Sequence, residues 1–367
     1  MTTPAAVPAH WTDKDRTEAL QAWRQQCDPL ADAVAARLDR QRPSAMLDEV
    51  ERRAASEGGP FREFLDTVNT VPDWVDWARI DQACRVSLAF TNVRSLALLT
   101  GSLVEGYMGG KAVHVLVATG RLHQDVLHRL NETAQMSHNM FQPGGMRPGA
   151  PGHRIILEVR LLHAMVRKYL RARGWDVAQW DEPINQEDMA FTVIEFNTLA
   201  TRGMDRLGAS LSRADREALH HLWRYAGWLH GVDESLLTDS VEEELYLYDR
   251  VCEHQYHLTE ESRMLGRTVL SAVSGQPPFY LPEGFLHALA RVCLGDEVAD
   301  FYGLNPDPRW TAAVTALQWA NRAATLAHYR LPGQAAFSRA FNTRWIRRLL
   351  QQGLEPEAGK RAFRHIA

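Results

Sequence analysis

Arg160, His163 and Arg167 are the residues of this chain whose types and spacing most plainly suggest chemistry. At 3.6 residues per turn, positions i, i+3 and i+7 share one face, so on a helix the three form a single stripe. Ile156 and Leu170 prolong the stripe with apolar side chains, and the surrounding run GHRIILEVRLLHAMVRKYLRARGW (Gly152–Trp175) is apolar on most other sides. That is the pattern of a buried helix. Two buried guanidiniums around an imidazole must find anionic partners, because an unpaired buried charge is strongly unfavourable. In one reading the imidazole ligates a metal cofactor such as haem, and the arginines meet its carboxylates. In the other a core histidine sits between salt-bridged arginines that partly reach water. The stripe alone does not choose between them.

A second helix has to face the first. It is expected from about Thr119–Gly120–Arg121 to Phe141, where the run QPGGMRPGAPG (Gln142–Gly152) forms a hinge. Arg129 and Thr133, four residues apart, share a face with Val126, Met136 and Met140. Two donors in an apolar wall suit the distal side of a haem, where they would steer a bound oxidant. The plainer reading has the arginine reaching solvent and the threonine bonding back to its own helix.

Other groupings carry less. Glu217 and His220 make one ExxH, whereas a di-iron bundle needs a second copy and two more glutamates. Glu253, His254 and His257 fall at a helix end, and a zinc site there is a distant second reading. The chain has no phosphate-binding glycine loop, no GxSxG elbow and no dinucleotide fingerprint.

Composition narrows the class. The net charge of −4 over 367 residues, with both signs interspersed, argues against nucleic acid as a partner. Four isolated cysteines, with no CxxC and no CxxCH, exclude a dithiol site and covalent haem attachment, and fit a reducing compartment. The N-terminus lacks a signal-peptide h-region. The most apolar stretch, Ser95–Thr119, is interrupted by Glu105, Lys111, His114 and paired glycines, so no membrane span is expected. These features predict a cytoplasmic protein.

Helical periodicity dominates throughout. Helices are predicted at about Asp13–Arg40 with a break at Asp28–Pro29, at Ala45–Ser56, Pro60–Thr70 and Asp81–Tyr107, and then in the two facing segments above. Further helices follow Asn185 and Ser212 as N-caps, and cover Ser240–Leu258, Glu260–Val273, Glu283–Leu294, Pro308–Tyr329 and Phe337–Gln352. With no repeat, linker or composition break, one all-α domain over residues 1–367 is expected, its core at about 79–232.

The runs TGRL (Thr119–Leu122), HRLNET (His128–Thr133), EVRLLHAMVR (Glu158–Arg167) and PINQEDMA (Pro183–Ala190) together resemble the latex-clearing rubber oxygenases and their MpaB-type relatives. Trp223–Asp249 and Phe285–Leu304 extend the resemblance over nearly the whole chain. It implies a globin-like helical core wrapped in further helices and holding a non-covalent haem b. His163 would be the proximal iron ligand, Arg160 and Arg167 its flanking arginines, and Arg129 and Thr133 the distal polar pair. It also implies an oxygenase acting on a small apolar organic substrate with dioxygen or a related oxidant. A non-catalytic haem sensor or carrier is the alternative, and a di-iron carboxylate enzyme a further one. Glu132 stands where rubber oxygenases carry a distal lysine, and no glutamate near Val113 matches their base. The departure points to a member that does not degrade rubber, and a carboxylate on the same helix as Arg129 is expected to pair with an arginine instead of capping the iron.

Overall fold

The computed structural model describes residues 20–39, 43–119, 126–276 and 280–354. The first residues of the predicted N-terminal helix, and Gly120–Leu122 of the TGRL run, lie outside them. The fold is all-α: among the described residues there is no strand, only an isolated antiparallel bridge between Gly109 and Tyr256.

Local chemistry places the first helices. Asp28 caps α1 (Pro29–Arg37) by accepting from Ala31 N, with Pro29 at the position where a missing N–H costs nothing. Next come α2 (Pro43–Ser56) and α3 (Gly59–Asn69), and then α4 (Trp77–Ala89), capped by Asp76. The sequence predicts one long helix from Asp81 to Tyr107, but the chain bends by 83° between α4 and α5 (Thr91–Gly106). Neither proline nor glycine marks the bend at Phe90. The carbonyls it frees, Leu88 O and Ala89 O, accept from Asn342 Nδ2 at 3.1 and 2.8 Å, so a distant helix stabilises the break.

Beyond the bend, α6 (Ala112–Thr119) precedes α7 (Val126–Met140) and α8 (Pro151–Ala172). The hinge between α7 and α8 is tight. A Cβ on Gly152 would stand 2.6 Å from Gly145 O and 2.8 Å from Met140 Cα, so glycine is what lets α8 start against the end of α7. Then α9 (Gln186–Ile194), capped by Asn185 as predicted, runs through a π turn (Glu195–Leu199) into a last segment, Ala200–Arg206. A matching π turn (Leu98–Ser102) lies in α5, and Ser102 Oγ donates to Glu195 O across the pair. Such turns widen a helix locally and are frequent at functional sites.

The rest of the chain forms α10 (Arg213–His230), α11 (Val241–Gln255), α12 (Glu260–Val273), α13 (Glu283–Leu294), α14 (Asp296–Phe301), α15 (Pro308–Arg330) and α16 (Gln334–Leu354). Ser212 caps α10, and Gly231 ends it at φ +87°. The main core gathers α1 to α5, α7, α8 and α10, with α8 packed against α1, α2, α7 and α10. Among the described residues no single helix is long and apolar enough to cross a membrane.

Candidate active site

The stripe on α8 points in two directions. Arg160 and Arg167 turn toward α1. Arg160 Nε and Nη2 donate to the two oxygens of Asp28 at 2.6 and 3.0 Å, and Nη1 donates to Leu229 O at 3.2 Å. Gly231 makes this pair possible, because a Cβ there would stand 2.3 Å from Asp28 Oδ2 and 2.7 Å from Arg160 Nε. Arg167, fully buried, donates through Nε to Asp32 Oδ1 at 2.6 Å and through Nη1 to Ile184 O at 3.4 Å. Lys168 Nζ closes the C-terminal end of α1 on Ala35 O and Leu38 O, each at 2.9 Å. The charge balance that the stripe demands is thus met by carboxylates of α1 and its cap. One donor, Arg167 Nη2, is left buried with no partner.

His163 turns the other way. Its ring is surrounded by protein, and Leu162, Leu130 and Thr133 are likewise half-buried. Burial pushes the imidazole down to about 3, and His230, Arg167 and Arg129 act in the same sense. It is therefore neutral at any physiological pH. The other interior histidines are each hydrogen-bonded: His153 to Val68 O at 3.0 Å, His220 to Thr238 Oγ1 at 2.9 Å, His221 to Asp76 N at 2.8 Å and His230 to Ala226 O at 2.8 Å. His163 is the exception, with Nδ1 enclosed and without a partner among the described residues.

Arg129 lies within electrostatic reach of both His163 and Tyr107, and Thr133 is half-buried one turn further along α7. The wall beside them is apolar, with Leu99, Leu103, Leu116 and Leu130 packed on Tyr107, Val113 and Val126. Glu132 meets a cation-capable side chain one turn back on its own helix, His128, whose Nε2 is 3.1 Å from Glu132 Oε1. The ExxH pair does not converge on a metal. Glu217 lies 3.8 Å from Arg79 while His220 bonds Thr238, and among the described residues no three His, Cys, Asp or Glu side chains gather as ligands. His254 Nε2 likewise faces Glu187 at 3.1 Å.

Two interior features were not singled out by sequence. His230 stacks on His163 with ring centroids 6.4 Å apart and planes 30° apart, and it donates from Nδ1, which leaves Nε2 with its lone pair. The other is a set of carboxyls held neutral by burial. Glu195 and Glu244 are pushed up to about 8 and Asp188 to about 7. Glu195 Oε1 lies where a Cβ on Gly106 would be, 1.4 Å from it, so that glycine makes room for the acid. The available signal was a lone glutamate within the apolar run MAFTVIEFNTL.

These groups set the pH dependence of stability. His163 and His220 lie near 3, and His221 and His230 near 4, all below the usual 6.5. Each is neutral in the fold and charges in the unfolded chain, so stability falls as pH drops below 6.5. Glu195, Glu244 and Asp188 act oppositely: protonated in the fold and ionised when unfolded, they lose stability as pH rises from the ordinary carboxyl range to 7 or 8. Between about pH 4.5 and 6.5 the two sets nearly cancel. Thermal melts should show a broad maximum there, a steep acid limb and a gentler alkaline one. Glu195→Gln should gain on the wild type from about pH 5 to 8, by at most about 1.4 kcal/mol per pH unit. Parallel curves for the two proteins would overturn a neutral Glu195.

The core is all-helical, with the neutral interior imidazole of His163 on α8 and Arg129 on α7 within electrostatic reach of it. Residues 91–325 match the family described as "ER-bound oxygenase mpaB/B'/Rubber oxygenase, catalytic domain", and the chain belongs to that family. It is 25% identical to the rubber oxygenase of Streptomyces sp. (strain K30) over 294 residues, 78% of this chain and 72% of that protein. In fold it is similar to latex clearing protein in its closed state, with a TM-score of 0.64 at 22% identity, covering 90% of this chain and 91% of the other. Membership makes the protein an oxygenase-family oxidoreductase.

Proposed function

We propose that this protein is a haem b-dependent oxygenase that acts on a small apolar organic molecule, working as one unit in the cytoplasm. The observation that carries the reading is the state of His163, an interior histidine held neutral by burial and, among the described residues, with its Nδ1 short of a partner. A neutral imidazole nitrogen is what an iron requires of its ligand. The residues fit a haem at this end. Arg167, fully buried and held by Asp32 of α1 and by Ile184 O, does not fit a propionate partner. Arg160, saturated by Asp28 and Leu229, would act by holding α8 in place.

Bound there, the haem supplies the redox chemistry with dioxygen or a related oxidant. The chain's own residues do the rest. His163 would fix the cofactor's position, with the His230 ring stacked 6.4 Å from it. Arg129 and Thr133 would present donors to a polar ligand, and the leucine wall around Tyr107 would offer an apolar substrate a water-poor surface. The four free cysteines fit a reducing compartment.

The test is the absorption spectrum of purified protein before and after dithionite, in which a Soret band that shifts on reduction is expected. Because Glu132 lacks a lysine's amine, the resting ferric iron should hold no second nitrogen from the protein. Imidazole should then bind in a simple titration. A low-spin resting iron with two protein nitrogens would sink this part and single out His230.

A further inference from the structure

The C-terminal pair α15 and α16 carries apolar side chains on its outer faces as well as on its inner ones. Its inner faces meet the body through Val314, Trp310, Leu317 and Ile346 and through a set of hydrogen bonds. Gln318 Nε2 donates to Arg206 O at 2.7 Å, Asn321 Nδ2 to Leu207 O at 2.8 Å, and Tyr329 Oη to Asp215 Oδ2 at 2.6 Å, while Asn342 spans the α4–α5 bend. The outer faces carry apolar groups too. On α15, Trp319, Arg322, Ala323, Leu326 and Arg330 are all exposed at i, i+3, i+4, i+7 and i+11, which is one continuous stripe. On α16, Phe337, Ala340, Phe341, Arg344 and Arg347 repeat the pattern. Trp319 is 64% exposed and Phe337 65%, and six of the twelve large hydrophobic side chains exposed among the described residues lie between 319 and 341.

Charge narrows what can cover such a face. Residues 308–354 contain seven arginines and no aspartate or glutamate, in a chain whose net charge is −4. The pair is therefore a cationic pole on an otherwise acidic molecule. Arginine interleaved with aromatic rings on one helix face is the chemistry of an interfacial helix. The guanidiniums meet lipid phosphates and the rings enter the headgroup boundary. Arg322 lies over the Trp319 ring at 4.8 Å, and Phe337 and Phe341 stack at 6.4 Å, so the cationic and aromatic groups are arrayed together on the outer face.

We infer that α15 and α16 dock this protein on the surface of an anionic lipid bilayer, without spanning it. This inference does not depend on the haem. The experiment is co-sedimentation of the full chain with phosphatidylcholine vesicles, with and without phosphatidylglycerol. Binding is expected only with the anionic lipid, and it should weaken with added salt. The exposed double variant Arg322→Gln/Arg344→Gln should lower partition roughly 25-fold, from about 1 kcal/mol per basic residue. Trp319→Ser/Phe337→Ser should weaken what remains at high salt. Equal binding to both vesicles, or none, would overturn the inference. So would concentration-dependent self-association without lipid that the same variants abolish, since the face would then be covered by a second copy.

Discussion

His163→Ala should purify folded and without haem, its Soret band absent under conditions in which the wild type shows one. The substitution removes the one interior imidazole whose neighbours leave it unsatisfied, so the fold loses little. A buried polar atom without a partner already costs about 1–3 kcal/mol, and its deletion offsets part of the cavity the missing ring leaves. Far-ultraviolet circular dichroism should be unchanged and the melting temperature close to that of cofactor-free wild type. His230→Ala is the control. That histidine's Nδ1 donates to Ala226 O and leaves Nε2 able to ligate, so the variant should retain haem only if His163 is the ligand. A full wild-type spectrum from His163→Ala would remove the ligand assignment. Loss of haem from His230→Ala alone would transfer it.

What could be read from sequence and what could not divides along chain separation. The boundaries Glu260–Val273 and Glu283–Leu294 agree with the predicted ones, and the caps Asn185 and Ser212 do their expected work. Each of these is settled within a few residues of chain. The α8 stripe was legible for the same reason, since periodicity alone puts Arg160, His163 and Arg167 on one line. Their partners were not. Asp28 and Asp32 lie 132 and 135 residues from the arginines they neutralise, and nothing local distinguishes them from other aspartates. The stripe admitted both a cofactor's carboxylates and the protein's own, and only tertiary structure could show α1 supplying them. The bend at Phe90 escaped for a related reason. Its stabilising amide, Asn342, is 254 residues from Leu88, and Phe90 itself carries no turn signal.

Asp28→Ala should be the most destabilising single substitution around the site. Asp28 is 2% exposed and does two jobs at once, capping α1 at Ala31 N and receiving both forks of Arg160. Without it a guanidinium that is 6% exposed keeps only Leu229 O. Leaving one member of a buried pair uncompensated costs about 3–5 kcal/mol. The lost cap adds about 1 kcal/mol. Against a total of about 5–15 kcal/mol for a typical domain, that is enough to leave little folded protein on mild heating. Asp28→Asn separates the two contributions, since the amide oxygen can still cap while the charge is gone. It should recover about the cap's share and no more. Arg160→Met in the Asp28→Ala background should recover most of the rest, because two apolar side chains no longer demand a partner. Urea melts of the wild type, Asp28→Ala, Arg160→Met and the double variant make the cycle. If Asp28→Ala loses less than about 1 kcal/mol, Arg160 must reach water or another anion, and its role in holding α8 to α1 would fall with that result.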